Sequence, residues 1–207
     1  MSRRRVLLLA IAVFMSVTTS GCGYNTLQAK QQKVKAMWAQ IENQLQRRSD
    51  LINNMIETAK LAGVQEQEVF GTIAKSNSQL LNAQKAAPQG EGGEKTPEQR
   101  QAVMDAANSF GGTIGRLLSL QQTWPVLQSN QSFLKAQDEL VGTENRIATA
   151  RGDYNAAVQD YNTKRGSFPT VIAAKMYGFK EEPYFKADPG ATAAPKINSD
   201  DYRRNTK

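Results

Sequence analysis

The sequence predicts an all-α protein: an elongated antiparallel four-helix bundle, up-down-up-down, with a short C-terminal helix and a disordered tail. Three observations carry this. Apolar residues between Tyr24 and Phe168 recur at steps of three and four, the period of one helix face. Proline and glycine gather at a few points, where they punctuate the pattern. No run shows the strict alternation of a half-buried strand.

The first helix runs from Tyr24 to Ala62. Its seam is Val34, Trp38, Ile41, Leu45, Ile52, Met55 and Ala59, a heptad-like, coiled-coil pattern. About 38 residues at a rise of 1.5 Å give a length of roughly 57 Å. Gly63 is its stop. The second helix spans Val64 to Ala86, with Phe70, Ile73, Leu80 and Leu81 on one face; Asn77 weakens that stripe. A Pro- and Gly-rich loop over 88–93 follows. Thr96-Pro97-Glu98-Gln99 then opens the third helix: Thr at the N-cap, Pro at the first position, Gln at the third.

The third helix carries Val103, Ala107, Phe110, Ile114, Leu117 and Gln121 on its seam. Gly111 and Gly112 lie inside it and mark close approach of another helix or a mild bend. Trp124-Pro125 ends it. The fourth helix runs from about Ser129 to Gly166, with Phe133, Gln137, Leu140, Glu144, Ile147, Arg151, Tyr154, Val158 and Tyr161 in line. Phe168-Pro169 closes it, a short helix is expected from Val171 to Tyr177, and residues 186–207 are expected to be disordered.

Two topologies fit these helices. In one, the second and third form a single interrupted arm of a three-helix bundle and the outer two run parallel. In the other, four helices alternate and the outer two are antiparallel. Polar seam residues favour the second. If the outer helices are centred on each other, antiparallel pairing sets Arg48 against Glu144, whereas parallel pairing sets it beside Arg151. A buried unpaired charge is costly enough to decide between them. Arg48 and Glu144 are thus expected in a structural polar layer with Asp50, Asn145 and Arg151 nearby. Such a layer reads either as a binding site or as a register-fixing ion pair.

The N-terminus reads as an address. Arg3–Arg5 form a basic start, and Val6 to Met15 are ten unbroken apolar residues, too few for a relaxed span of about 20. Thr19-Ser20-Gly21-Cys22 resembles the lipobox of bacterial lipoproteins, though Thr19 stands where leucine is usual. Cys22 would then carry a diacylglyceryl group, whose chains contribute about 0.8 kcal/mol per buried CH₂. The division expected is a signal peptide over 1–21, a bundle over 22–185 and a tail over 186–207. An uncleaved membrane anchor is the alternative. Gly23 after the cysteine resembles the outer-membrane sorting pattern of two-membrane bacteria.

Composition excludes several chemistries. The chain has no histidine and one cysteine, so a His-containing triad, a His₂Cys₂ zinc site and an internal disulfide are impossible within one chain. The net charge is +7, and loss of Arg3–Arg5 would leave +4. That is a mild excess, not the dense basic stripe of a nucleic-acid binder. No cofactor, metal or nucleic acid is expected. Asp138, Glu139 and Glu144 are candidates for a two-carboxylate hydrolase, but they read more simply as surface charges or seam pairs.

Several ordered blocks resemble the LemA family. They are Tyr24-Asn25-Thr26-Leu27, Gln46-Arg47-Arg48-Ser49-Asp50-Leu51-Ile52, Gly115-Arg116-Leu117-Leu118 and Trp124-Pro125-Val126-Leu127. They continue with Leu140-Val141-Gly142-Thr143-Glu144-Asn145-Arg146-Ile147-Ala148, Ala150-Arg151, Tyr154-Asn155, Phe168-Pro169, Gly178-Phe179 and Pro183-Tyr184-Phe185. The resemblance covers roughly Tyr24 to Phe185. Asn53 replaces the family's usual proline, and Trp124 its usual tyrosine. It implies a helical bundle at the bacterial envelope and no defined activity. The expectation is a non-catalytic envelope lipoprotein, tethered outside the cytoplasm through Cys22 and contacting an envelope protein partner. The alternative is an enzyme on an envelope polymer.

Overall fold

The computed structural model describes residues 3–90 and 95–185, with side chains from Gly23 onward. It is a helical bundle built from α1 (Arg3–Leu61), α2 (Gln67–Lys85), α3 (Pro97–Thr123), α4 (Pro125–Gln128), α5 (Gln131–Gly166) and α6 (Thr170–Met176). The expected tail over 186–207 lies outside the described residues, as does the Cys22 side chain.

The first helix begins earlier than the periodicity suggests. α1 is unbroken from Arg3 to Leu61. Ser, Thr and Gly between Ser16 and Gly23 lower helix propensity without barring the helix, because no proline lies there. Its end is chemically defined. Gly63 adopts φ +85°. Its N–H donates to Lys60 O at 2.9 Å, and that of Val64 to Ala59 O at 3.0 Å. This left-handed cap satisfies the last carbonyls of the helix. The turn occupies the next residues, so α2 starts at Gln67, three later than expected.

α3 opens on the capping box the sequence announces. The Thr96 hydroxyl accepts from Gln99 N, and the Gln99 side chain accepts from Thr96 N. Trp124 breaks the chain direction, and its indole Nε1 donates to Glu66 Oε1 at 3.2 Å. Pro125 starts the single turn α4, which is too short to leave a period in the sequence. Asn130 then caps α5 by accepting from Phe133 N at 3.1 Å.

The helices alternate in direction. α1 packs along α5, and α2 along α3. Three contacts fix the α1–α5 register as antiparallel: Lys30 with Asp160 at 2.5 Å, the Trp38 ring 5.6 Å from that of Tyr154, and Arg47 with Glu139 at 3.4 Å. The seam residues of all four long helices form one core, with Ile41, Leu45, Ile52, Ile73, Phe110, Phe133 and Ile147 fully buried. Asn77, a flaw in the α2 stripe by sequence, is buried and bonded. It accepts from Ser49 Oγ at 2.7 Å and donates to Asn53 Oδ1 at 3.1 Å. The residue standing in place of proline thus joins α1 to α2.

After α6 the chain reverses at Gly178 (φ +71°) and returns along α5 as an extended strap over residues 179–185. Asn162 bonds both backbone groups of Glu182, and Asn155 both of Phe185. The Tyr161 hydroxyl donates to Lys180 O and that of Tyr154 to Pro183 O. On the other side Arg100 of α3 reaches Glu182. The strap therefore bridges α3 and α5 at one end of the bundle.

Candidate binding groove between α3 and α5

Residues of α3 and α5 also line an open groove. Its volume is about 470 Å³, and its lining includes Arg48, Asn108, Gly111, Gly115, Leu118, Val141, Glu144, Asn145 and Arg151. Small residues on α3 make it possible. A Cβ built at Gly111 would lie 3.0 Å from Arg48 Nη2, so a side chain there would crowd the guanidinium. The close approach at Gly111 is thus by a side chain from α1, not by a helix backbone. Gly112 meets nothing within 4 Å.

Arg48 rises from α1 into this space and is 3% exposed. Its Nε lies 3.2 Å from Glu144 Oε2, while the Glu144 side chain is 46% exposed. The Arg48 guanidinium carbon sits 5.5 Å from the Phe110 ring centroid, a cation–π distance. Burial lowers its pKa, Glu144 raises it again, and Arg151 lowers it by like charge. Nη1 is buried and, among the described residues, has no hydrogen-bond partner. Asn108 Oδ1, on the α3 wall, is also buried without one.

Of the residues expected in the polar layer, Arg48, Glu144, Asn145 and Arg151 line this groove. Arg151 also holds its guanidinium 4.2 Å over the Phe185 ring, where the strap ends. Asp50 does not join them, which corrects the sequence reading. Two residues from Arg48 along a helix is a turn of about 200°, so Asp50 faces solvent and accepts from Gln46 Nε2 at 2.9 Å. Of the carboxylates weighed for hydrolysis, Asp138 is not buried and Glu139 pairs with Arg47 outside the groove. Among the described residues no group of three or more His, Cys, Asp or Glu is placed to hold a metal ion.

The sequence reading missed the buried pair of Arg100 and Glu182. Their side chains are 4% and 5% exposed. A signal existed: Arg100 stands three residues before Val103 and continues the α3 seam backwards.

A second feature lies at the end of the bundle beside Gly23. A Cβ at Gly23 would lie 3.7 Å from Ala173 Cβ, so α1 passes close against α6. The Tyr24 ring packs edge-on against those of Tyr177 and Phe179, at 4.8 and 5.7 Å. Phe168, Ile172, Met176 and Tyr177 are nonetheless largely exposed, at 81, 54, 66 and 54%. Lys164 and Arg165 lie in the last turn of α5 and Lys175 in that of α6, and Arg165 pairs with Glu181. No helix among the described residues is long and apolar enough to cross a membrane.

An all-α bundle with a clefted α3–α5 face and the block order above defines the class. The LemA family model matches residues 37–198, and the chain belongs to the LemA family. It is similar to two magnetosome proteins of Paramagnetospirillum magneticum, MamQ 1 and MamQ 2. Identity to each is 28%, over 86% of this chain and 70% of theirs. It is also similar to the magnetosome protein MamQ of Magnetospirillum gryphiswaldense, at 27% identity over 88% of this chain and 73% of that one.

Proposed function

We propose that this protein is a non-catalytic, membrane-tethered interaction module of the cell envelope, anchored through a lipid on Cys22. The observation that carries this is the exposed apolar cluster at the α5–α6 end of the bundle, beside Gly23. Four large apolar side chains, with lysine and arginine in the last turns of α5 and α6, suit a surface that rests on lipid headgroups. Cys22 immediately precedes the glycine packed at that end. An acyl chain there would hold this surface, and no other, against the bilayer. The two chains of the diacylglyceryl group give stable attachment, and the apolar cluster sets how the bundle rests on the surface. The far side of the bundle, with its groove, is then left to a partner.

The test is the intact mass of the protein recovered from membranes of its host, beside Cys22→Ala. A mass matching cleavage before Cys22 plus acyl chains, lost in the variant, is expected. A mass retaining residues 1–21 overturns the lipid anchor in favour of an uncleaved one. Faster proteolysis at residues 168–177 in membrane-bound Ile172→Glu/Met176→Glu, with acylation intact, would support the lipid-facing end. Unchanged cleavage would remove it.

A further inference from the structure

The end of the bundle beside Gly23 carries an inference about which lipids it meets, and it rests on the membrane-facing reading above. α6 is amphipathic in an inverted sense. The side it turns to the bundle holds Thr170, Ala173 and Ala174, all buried and all small. The side it turns to solvent holds Ile172 and Met176, with Phe168 before the helix and Tyr177 after it. A helix that merely covered a core would place its large apolar groups inward. The close passage of α1, where a Cβ at Gly23 would lie 3.7 Å from Ala173 Cβ, leaves the inner side to small residues. It does not account for large apolar groups on the outer side, where water disfavours them.

Charge distinguishes the occupant. The segments that form this end, 23–35 and 158–185, contain no carboxylates besides Asp160, Glu181 and Glu182. Each of these is in an ion pair, with Lys30, Arg165 and Arg100 in turn. Lys175 stands between the exposed Ile172 and Met176, and Lys164 four residues before Phe168. Neither makes an ion pair among the described residues. We infer that this end binds the headgroups of anionic phospholipids, with Lys164 and Lys175 on the phosphates and Phe168, Ile172 and Met176 seated at the headgroup–acyl boundary. A zwitterionic headgroup brings an ammonium group with its phosphate and has no net attraction for a lysine, whereas an anionic one attracts both lysines. α1 leaves the bundle at this same end, unbroken from Arg3. The bilayer is therefore reached from this side whether residues 1–21 are kept or removed. The anchor brings the face to the membrane, and the lysines select the lipid.

The test uses the full chain in vesicles, either of phosphatidylcholine alone or of phosphatidylcholine mixed with phosphatidylglycerol. Oxidation of Met176 by hydrogen peroxide, an uncharged oxidant, is read by mass spectrometry. Met176 is 66% exposed, whereas Met55 and Met104 are buried and serve as internal references. Met176 is expected to oxidise at least about fivefold more slowly in the mixed vesicles than in phosphatidylcholine. High salt is expected to remove the difference, as is Lys164→Gln/Lys175→Gln, with unchanged urea unfolding. Equal protection in the two compositions overturns anionic selectivity and leaves the membrane-facing reading standing. Oxidation as fast as that of N-acetylmethionine amide in both overturns that reading and the inference together. Selectivity that survives Lys164→Gln/Lys175→Gln overturns the assignment to these lysines. Protection in host membranes but in neither vesicle would overturn the inference by assigning the face to an envelope protein.

Discussion

Arg100 of α3 and Glu182 of the strap form a buried ion pair, Nη1 to Oε2 at 2.5 Å, whereas the other ion pairs among the described residues reach solvent on at least one side. Arg100 also lies 5.9 Å from the Trp38 ring centroid. This pair joins the strap to α3, on the side opposite its hydrogen bonds to α5.

Breaking it from one side leaves a charge in the core. Glu182→Ala is expected to destabilise the fold by about 3–5 kcal/mol, read from urea unfolding followed by circular dichroism. Arg100→Leu/Glu182→Leu is expected to recover most of that loss, because apolar replacement of both partners removes the desolvation cost. A double variant as unstable as the single would show that the strap is held by its backbone bonds to α5 instead.

Arg48 and Glu144 offer a different contrast, since one is buried and the other half in solvent. Arg48→Glu is expected to cost several kcal/mol, roughly the penalty of a buried unpaired charge. Arg48→Glu/Glu144→Arg is expected to regain part of it, as the ion pair is restored with reversed polarity. Thermal melts of the two single variants and the double form the cycle. Zero coupling would mean that Phe110 and Gly111, not Glu144, hold the guanidinium.

How much of this is legible in the sequence depends on range. Seam residues such as Val34, Leu45, Phe110 and Tyr161 follow from a local period, and all are fully buried. The Thr96–Gln99 box and Gly63 follow from four-residue chemistry. The approach of Arg48 to Glu144 is legible because both interrupt apolar seams, and an interrupted seam demands a partner. The strap is not legible: residues 179–185 have no period, and their hydrogen bonds come from side chains on α5 that look like ordinary seam or surface positions. Asp50 falls outside the groove because nearness in sequence is not nearness on a helix face.

The end of α1 gives a local test. Gly63 sits at φ +85° with nothing within 4 Å of a would-be Cβ, so any cost of a side chain there is backbone strain alone. Gly63→Ala is expected to lower stability by about 1–2 kcal/mol. Gly112→Ala, helical and equally open, is expected to stabilise by up to about 1 kcal/mol. Opposite signs in urea unfolding at these two glycines would confirm that conformation decides the outcome. Equal signs would mean that the α1–α2 turn relaxes around the added methyl group.

The strap should also confer alkaline sensitivity. Tyr154 and Tyr161 each donate a hydroxyl proton to a strap carbonyl, Pro183 O and Lys180 O. Burial pushes both phenols up from 10, Tyr161 to about 12 and Tyr154 further; the Glu182 carboxylate adds to the rise and Arg100 opposes it. The unfolded chain therefore releases these protons near pH 10 while the folded chain keeps them. Bound protons are then more numerous in the folded state, so stability falls as pH rises. It is level with respect to these groups below pH 10 and declines from there through about pH 12. The slope is at most about 1.4 kcal/mol per pH unit per tyrosine, over a shorter span for Tyr161, whose pKa is raised less. Urea unfolding at stepped alkaline pH, with tyrosinate absorbance followed in parallel, measures it. Tyr161→Phe is expected to flatten its share of the decline while losing the bond to Lys180 O at every pH. If the decline persists unchanged in both Tyr154→Phe and Tyr161→Phe, release of the strap is not what loosens the bundle at high pH.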